Sequence, residues 1–197
     1  MSVAARRIET ADILPLEEYA KLRADRRRKI SELKKNRRLE VGPVATFYFE
    51  SYDTMLHQVH EMLFIEKGGA AQIPDELAAY NPLIPKGTEL VATVMFEIDD
   101  PLRRARILAG LGGVERTAFI RVDGQMVKGI PEEDQDRTNA EGKASSVQFV
   151  RFPFTAVEID AFRSAGGEIV VGFSHPNYAH MAVMPAAVRA TLAGDFA

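Results

Sequence analysis

The sequence predicts an α+β fold, a single domain over residues 1–197 in which helices pack on one antiparallel or mixed sheet of about six strands. Three observations lead there. Thr88–Ile98 alternates Leu90, Ala92, Val94, Phe96 and Ile98 against a more polar face that holds Glu89, Thr93 and Glu97. Asp123-Gly124 sits between two short strand-like runs and is a hairpin signal, which favours antiparallel pairing. Segments with apolar residues at helical spacing separate the strands.

Taken in order, residues from about Pro15 to Arg38 read as one long basic helix. Pro15 suits the first helical position, and Glu17 and Glu18 put negative charge where the helix dipole favours it. Its seam, Leu16, Tyr19, Arg23, Arg26, Ile30, Leu33 and Arg37, is interrupted by arginine, as in a helix laid across a sheet with its arginines reaching acidic groups beneath. Gly42-Pro43 ends that unit. A strand follows with Phe47 and Phe49 on one side, then a helix with Met55, Leu56, Val59, Met62 and Leu63 on one face. Pro74–Tyr80 is a short helix, and Pro101–Leu111 another. Val114–Val122 and Gln125–Ile130 form the hairpin. Residues 131–145 are acidic, rich in turn formers and without periodicity, so they read as a mobile acidic loop. Ser146–Phe152 resumes as a strand, and Thr155 with Glu158 makes a capping box for the next helix. Glu168–Phe173 is a near-continuous apolar run, expected as a central strand, and a last helix runs from about Pro185 to Leu192.

Composition narrows the chemistry. The chain has no cysteine, which removes disulfides, thiolate nucleophiles and cysteine-held zinc or iron–sulfur clusters. Neither a phosphate loop nor a GxGxxG fingerprint is present; Gly110-Leu111-Gly112-Gly113 follows a helix and precedes a strand, the reverse of a dinucleotide site. No cofactor is therefore evident, and any metal would be held by His, Asp and Glu. Apolar runs fall short of a membrane span, and no secretory signal is read at the start, so the expected location is cytoplasmic, away from membranes. Net charge is −3, but Lys21–Arg38 holds ten basic residues against Asp25 and Glu32, a local balance of +8 that leaves −11 elsewhere. A basic arm of that kind fits nucleic acid, an acidic partner or its own acidic body. Without exposed aromatics, and on an acidic chain, the nucleic-acid reading is the weakest.

Two places carry candidate chemistry. His57 and Glu61 lie one helical turn apart, opposite the apolar face, with His60 on the flank. They could share a metal with a further ligand such as His175; the plainer reading, which the spacing favours, is a solvent-facing pair. His175-Pro176-Asn177-Tyr178 closes the central strand and holds His175 at the rim of the sheet, either as a binding residue or as a turn that caps backbone groups. In Ser146–Phe152, Gln148 and Arg151 point to opposite faces, so one of them needs a partner such as Glu50 or Glu97. No catalytic residue is assigned.

Several stretches together carry a resemblance. They are Asp12-Ile13; Phe49, Glu50, Asp53, Thr54, Gln58, Glu61 and Met62; Tyr80–Pro85; Ser146–Phe152; and His175–Tyr178. Over nearly its full length the chain resembles a bacterial family known as domain of unknown function 3501. Genes of that family are often found beside those for rubrerythrin and iron–sulfur oxidoreductases. The resemblance thus implies an accessory or binding protein linked to redox or oxidative-stress metabolism, with such a redox protein as partner. Gln58, Glu61, Arg151, His175 and Tyr178 match the family pattern and are the ligand-binding candidates; His57, His60 and His180 lie outside it. A homo-oligomer is the expected assembly, and one sheet is expected to bring these distant residues together.

Overall fold

The computed structural model describes residues 6–132, 138–139, 142–164 and 166–197. After a short turn of 3-10 helix at Thr10–Asp12, helix α1 spans Leu16–Lys35, with Glu17 and Glu18 in its first turn and Lys34 and Lys35 in its last. It stops short of the expected Arg38. Asn36 leaves helical geometry, and Arg38–Val41 becomes strand β1, in which Leu39 and Val41 are buried while Arg38 and Glu40 are exposed. That two-residue alternation belongs to a strand, not to a helix.

Strand β2 is Ala45–Phe49, and helix α2 is Tyr52–Glu66. Ser51 caps α2 by accepting from Thr54 N–H, and Thr54 Oγ1 accepts from Ser51 N–H in return. Lys67, at φ 57°, ends it. Helix α3 is Ile73–Tyr80, strand β3 is Glu89–Phe96 and helix α4 is Pro101–Ala109. Val114–Thr117, expected as the start of a strand, forms a 3-10 turn instead; strand β4 is Ala118–Val122 and β5 is Gln125–Lys128. Asp123 and Gly124 have φ values of 48° and 81°, the left-handed pair that a two-residue hairpin requires. The remaining elements are β6 Ile130–Pro131, β7 Val147–Pro153, α5 Ala156–Arg163, β8 Ile169–Phe173, β9 Met181–Val183 and α6 Ala186–Ala193. Of the expected acidic loop, residues 133–137 and 140–141 lie outside the described residues, while Thr138 bridges Ala144.

The described strands form two sheets, in the orders β1-β2-β3-β7-β6 and β5-β4-β8-β9, and every pairing is antiparallel. The class is α+β as expected, but one sheet of about six strands is corrected to nine strands in two sheets. The short β1, β6 and β9 carry too few residues for a periodic signal. Gly129 joins the two sheets. Its N–H donates to Ala118 O at 2.8 Å in the second sheet, while its neighbour Ile130 pairs with Arg151 in the first. A Cβ at Gly129 would lie 2.5 Å from Val150 Cγ1 and 3.0 Å from Ala118 O, so the bend depends on glycine.

The sheets share one core. Phe47, Phe152, Phe96, Phe173 and Tyr178 fill its middle, with Phe47 and Phe173 centred 5.0 Å apart. Ile159 and Phe162 of α5 and Val188 and Leu192 of α6 join it. Against the outer face of the first sheet, α2 sets Met55, Leu56, Val59 and Leu63 in a second cluster with Ile8, Leu83, Ile84 and Val91. Each fully buried side chain of this size contributes roughly 1.5–3 kcal/mol. β3 therefore faces two cores: Leu90, Ala92, Val94 and Phe96 look inward, and Val91 looks out to α2. No helix among the described residues is long and apolar enough to cross a membrane.

Candidate functional site: the cleft between helices 1 and 2

With the apolar stripe of α2 committed to the sheet, its polar stripe is left for another element to cover, and α1, expected across the sheet, lies on α2 instead and covers it. Tyr19 is the anchor, 1% exposed. Its hydroxyl donates to Glu61 Oε1 at 2.7 Å, and its ring stacks on His60 with centroids 4.7 Å apart. Arg23 grips the same carboxylate with two parallel bonds of 2.8 Å and lies over the Phe64 ring, 4.5 Å from its centroid. The Arg23 hydrogen bond, helped by the Tyr19 hydroxyl and opposed by burial, holds the Glu61 carboxyl down at about 2. Burial, and then the Glu61 bond, push the Tyr19 hydroxyl up.

Both histidines of α2 belong to this interface. Nδ1 of His57 is 3.4 Å from the Tyr19 hydroxyl, and burial lowers its pKa against the pull of Glu61. His60 is buried. Its Nδ1–H donates to Leu56 O at 2.7 Å, and its Nε2 accepts from Leu14 N–H at 3.0 Å. Since a carbonyl only accepts and an amide N–H only donates, His60 is neutral with its proton on Nδ1. Burial also lowers its pKa. The pair that the spacing favoured as solvent-facing therefore faces α1.

The other candidates lie elsewhere. Gln58 is within hydrogen-bonding reach of Tyr80 at the end of α3. Arg151 pairs with Glu89 and donates to Pro82 O at 2.6 Å. Its expected partners are occupied: Glu50 accepts from the Thr54 and Thr93 hydroxyls, and Glu97 from those of Thr46 and Tyr48. Gln148, on the opposite face, is fully buried; it donates to Ser145 O and leaves Oε1 without a partner. His175 is buried, with Nε2 3.2 Å from Gly112 O and Nδ1 accepting from Asn177 N–H at 3.2 Å. The Tyr178 hydroxyl accepts from Val44 and Ala45 N–H and donates to Val41 O, all within 3.1 Å, and so braces the β1–β2 turn from inside the core.

The structure thus joins His57 to Glu61 and keeps both apart from Tyr178. The first sheet lies between them, with α2 on its outer face and Tyr178 in the core on its inner face. Among the described residues, no group of three His, Asp or Glu could hold a metal ion. Glu61 accepts three hydrogen bonds from Arg23 and Tyr19.

The cleft does offer space on either side of the Tyr19–Glu61 anchor. One cavity of about 350 Å³ is apolar, with Ile13, Leu14, Leu63 and Ile73 around Tyr19 and His60. The other, about 320 Å³, is lined by Arg26, Lys29, Ile30, Leu33, Leu56 and His57, with Asp53 also on its wall. Apart from His57 and His60, none of these lining residues is among the candidates that the sequence offers. The available signal was the α1 seam, whose arginines and aliphatics alternate along the face that meets α2.

Comparison with known proteins agrees with the fold. No curated protein matches the chain. A crystal structure of a novel protein of unknown function from Burkholderia pseudomallei superposes with a TM-score of 0.89 at 36% identity, covering 96% of this chain and 99% of that one. The profile of the family described as protein of unknown function (DUF3501) matches residues 7–196, and the chain belongs to that family.

Proposed function

We propose that the protein is a small-ligand-binding accessory protein whose site is the cleft between α1 and α2. The observation that carries this reading is the arrangement of α1. Its Tyr19–Arg23 segment is clamped to Glu61, and a cavity large enough for a small organic molecule opens on each side of the clamp. Mapping amide shifts on addition of a library of small apolar and acidic compounds tests it. Perturbations gathered on Tyr19–Leu33 and Leu56–Leu63 support the reading; compounds that perturb only other surfaces remove it.

The family resemblance supplies a setting, redox or oxidative-stress metabolism, with a rubrerythrin-like or iron–sulfur protein as partner. Affinity capture from the native host that recovers no redox protein above background would remove that partner. Exposed Met126, Met181 and Val183 support self-association as well, which sedimentation velocity reads directly. The α1 charge is less available to nucleic acid than its count suggests, because Arg23, Arg28 and Lys35 are paired with Glu61, Asp25 and Glu32.

A further inference from the structure

We propose that the cavity between the middle of α1 and the first turns of α2 takes an organic anion: an apolar body carrying one carboxylate, phosphate or sulfonate. This deepens the cleft-binding reading and rests on it. Arg23, Arg28 and Lys35 have carboxylate partners. Arg26 and Lys29, which line this cavity, form no ion pair or hydrogen bond with a described residue. Two cations therefore stand unpaired over a floor of Ile30, Leu33 and buried Leu56. A ligand with an apolar body would dry that floor and strengthen the charge contacts at its edge.

The cavity also has a direction. α1 and α2 run antiparallel, since Tyr19 and Arg23 meet Glu61 at one end of the contact, while Leu33 shares the cavity with Asp53 towards the other. Arg26 thus marks the cationic end, and Asp53 disfavours a second anionic group at the opposite end. Lys34 and Arg27 add positive field over His57 and act in the same sense.

The test uses two fluorescent probes with the same ring system, anilinonaphthalene sulfonate and uncharged N-phenylnaphthylamine, titrated into the full chain with amide-shift mapping of the bound state. The sulfonate is expected to bind more tightly and to shift Ile30, Leu33 and Leu56. Arg26→Met and Lys29→Met keep the apolar stem and remove the charge. Each should weaken the sulfonate about tenfold and leave the uncharged probe within about twofold. Equal affinity for the two probes, sulfonate binding unchanged in both variants, or a sulfonate seated only in the cavity around Leu14 and Leu63 would overturn the proposal. If the uncharged probe alone maps to the cleft, the anion claim is lost and the binding reading stands. If neither probe perturbs the cleft, both are lost.

Discussion

Arg23 and Glu61 stand 38 residues apart in the chain, yet they meet through two bonds of 2.8 Å, from Nε and Nη2 to the two carboxylate oxygens. Tyr19 adds a third bond to the same carboxylate. The contact fixes how α1 lies on α2 and therefore sets the walls of both cavities.

Glu61→Gln should destabilise the fold, because it leaves the Arg23 guanidinium of α1 without its counter-charge on α2. Denaturant unfolding of the single variants and of a double variant with Arg23→Met measures the coupling. Since the fold depresses the Glu61 carboxyl to about 2 from 4.5, its contribution is full above 4.5 and is lost as pH falls towards 2. Glu61→Gln should therefore flatten the acid limb in that window. An acid limb identical to wild type would show that Arg23 does not depress this carboxyl.

His60 titrates in a different window. Burial depresses its pKa below 6.5, so the neutral ring stabilises the fold fully above 6.5, and that contribution declines as pH drops below it. Protonating Nε2 would also lose the Leu14 N–H bond. His60→Gln should lower stability at neutral pH and reduce its slope just below 6.5, with the slope that His57 contributes left in place. Thermal unfolding across that range reads both effects.

Tyr178→Phe removes one hydroxyl that serves three backbone groups, Val41 O, Val44 N–H and Ala45 N–H, inside the core. The expected cost is about 2–4 kcal/mol, from buried groups left unpaired. Probe binding in the α1–α2 cleft should be unchanged at temperatures where the variant is folded. Loss of cleft binding in the folded variant would contradict the separation of the two sites.

Gly129→Ala is expected to destabilise by about 2 kcal/mol or more, because its Cβ would press on Val150 and on Ala118 O where the strand crosses between sheets. Gly124→Ala, at φ 81° with nothing within 4 Å, should cost less, through conformational strain alone. Equal costs at the two positions would mean that Gly129 is not constrained by packing.

Much of this arrangement is legible in the order of residues. The α1 seam carries the residues that meet α2, including Tyr19, Arg23, Arg26, Ile30 and Leu33. The hairpin at Asp123-Gly124, the inward face of β3 and the capping box at Thr155 and Glu158 were readable for the same reason. Each depends on neighbours within a turn or a strand. The partner of Arg151 was not readable in that way. Arg151 sits opposite Val91, so the carboxylate that falls diagonally beside it is Glu89, two residues along the same face. That register is fixed by hydrogen bonds between segments 62 residues apart, not by anything local to either strand.

Residue order by itself determined an α+β chain without cysteine chemistry, the stripe of α2 that enters a core, and the stripe that carries His57 and Glu61. Only the tertiary structure decided what covers that second stripe, how the strands divide at Gly129, and that a sheet parts Glu61 from Tyr178. Periodicity fixes the direction of a side chain relative to its own backbone. Which group it meets depends on packing between distant segments, and here that packing left Arg26 and Lys29 on the wall of a cavity with no ion-pair partner among the described residues.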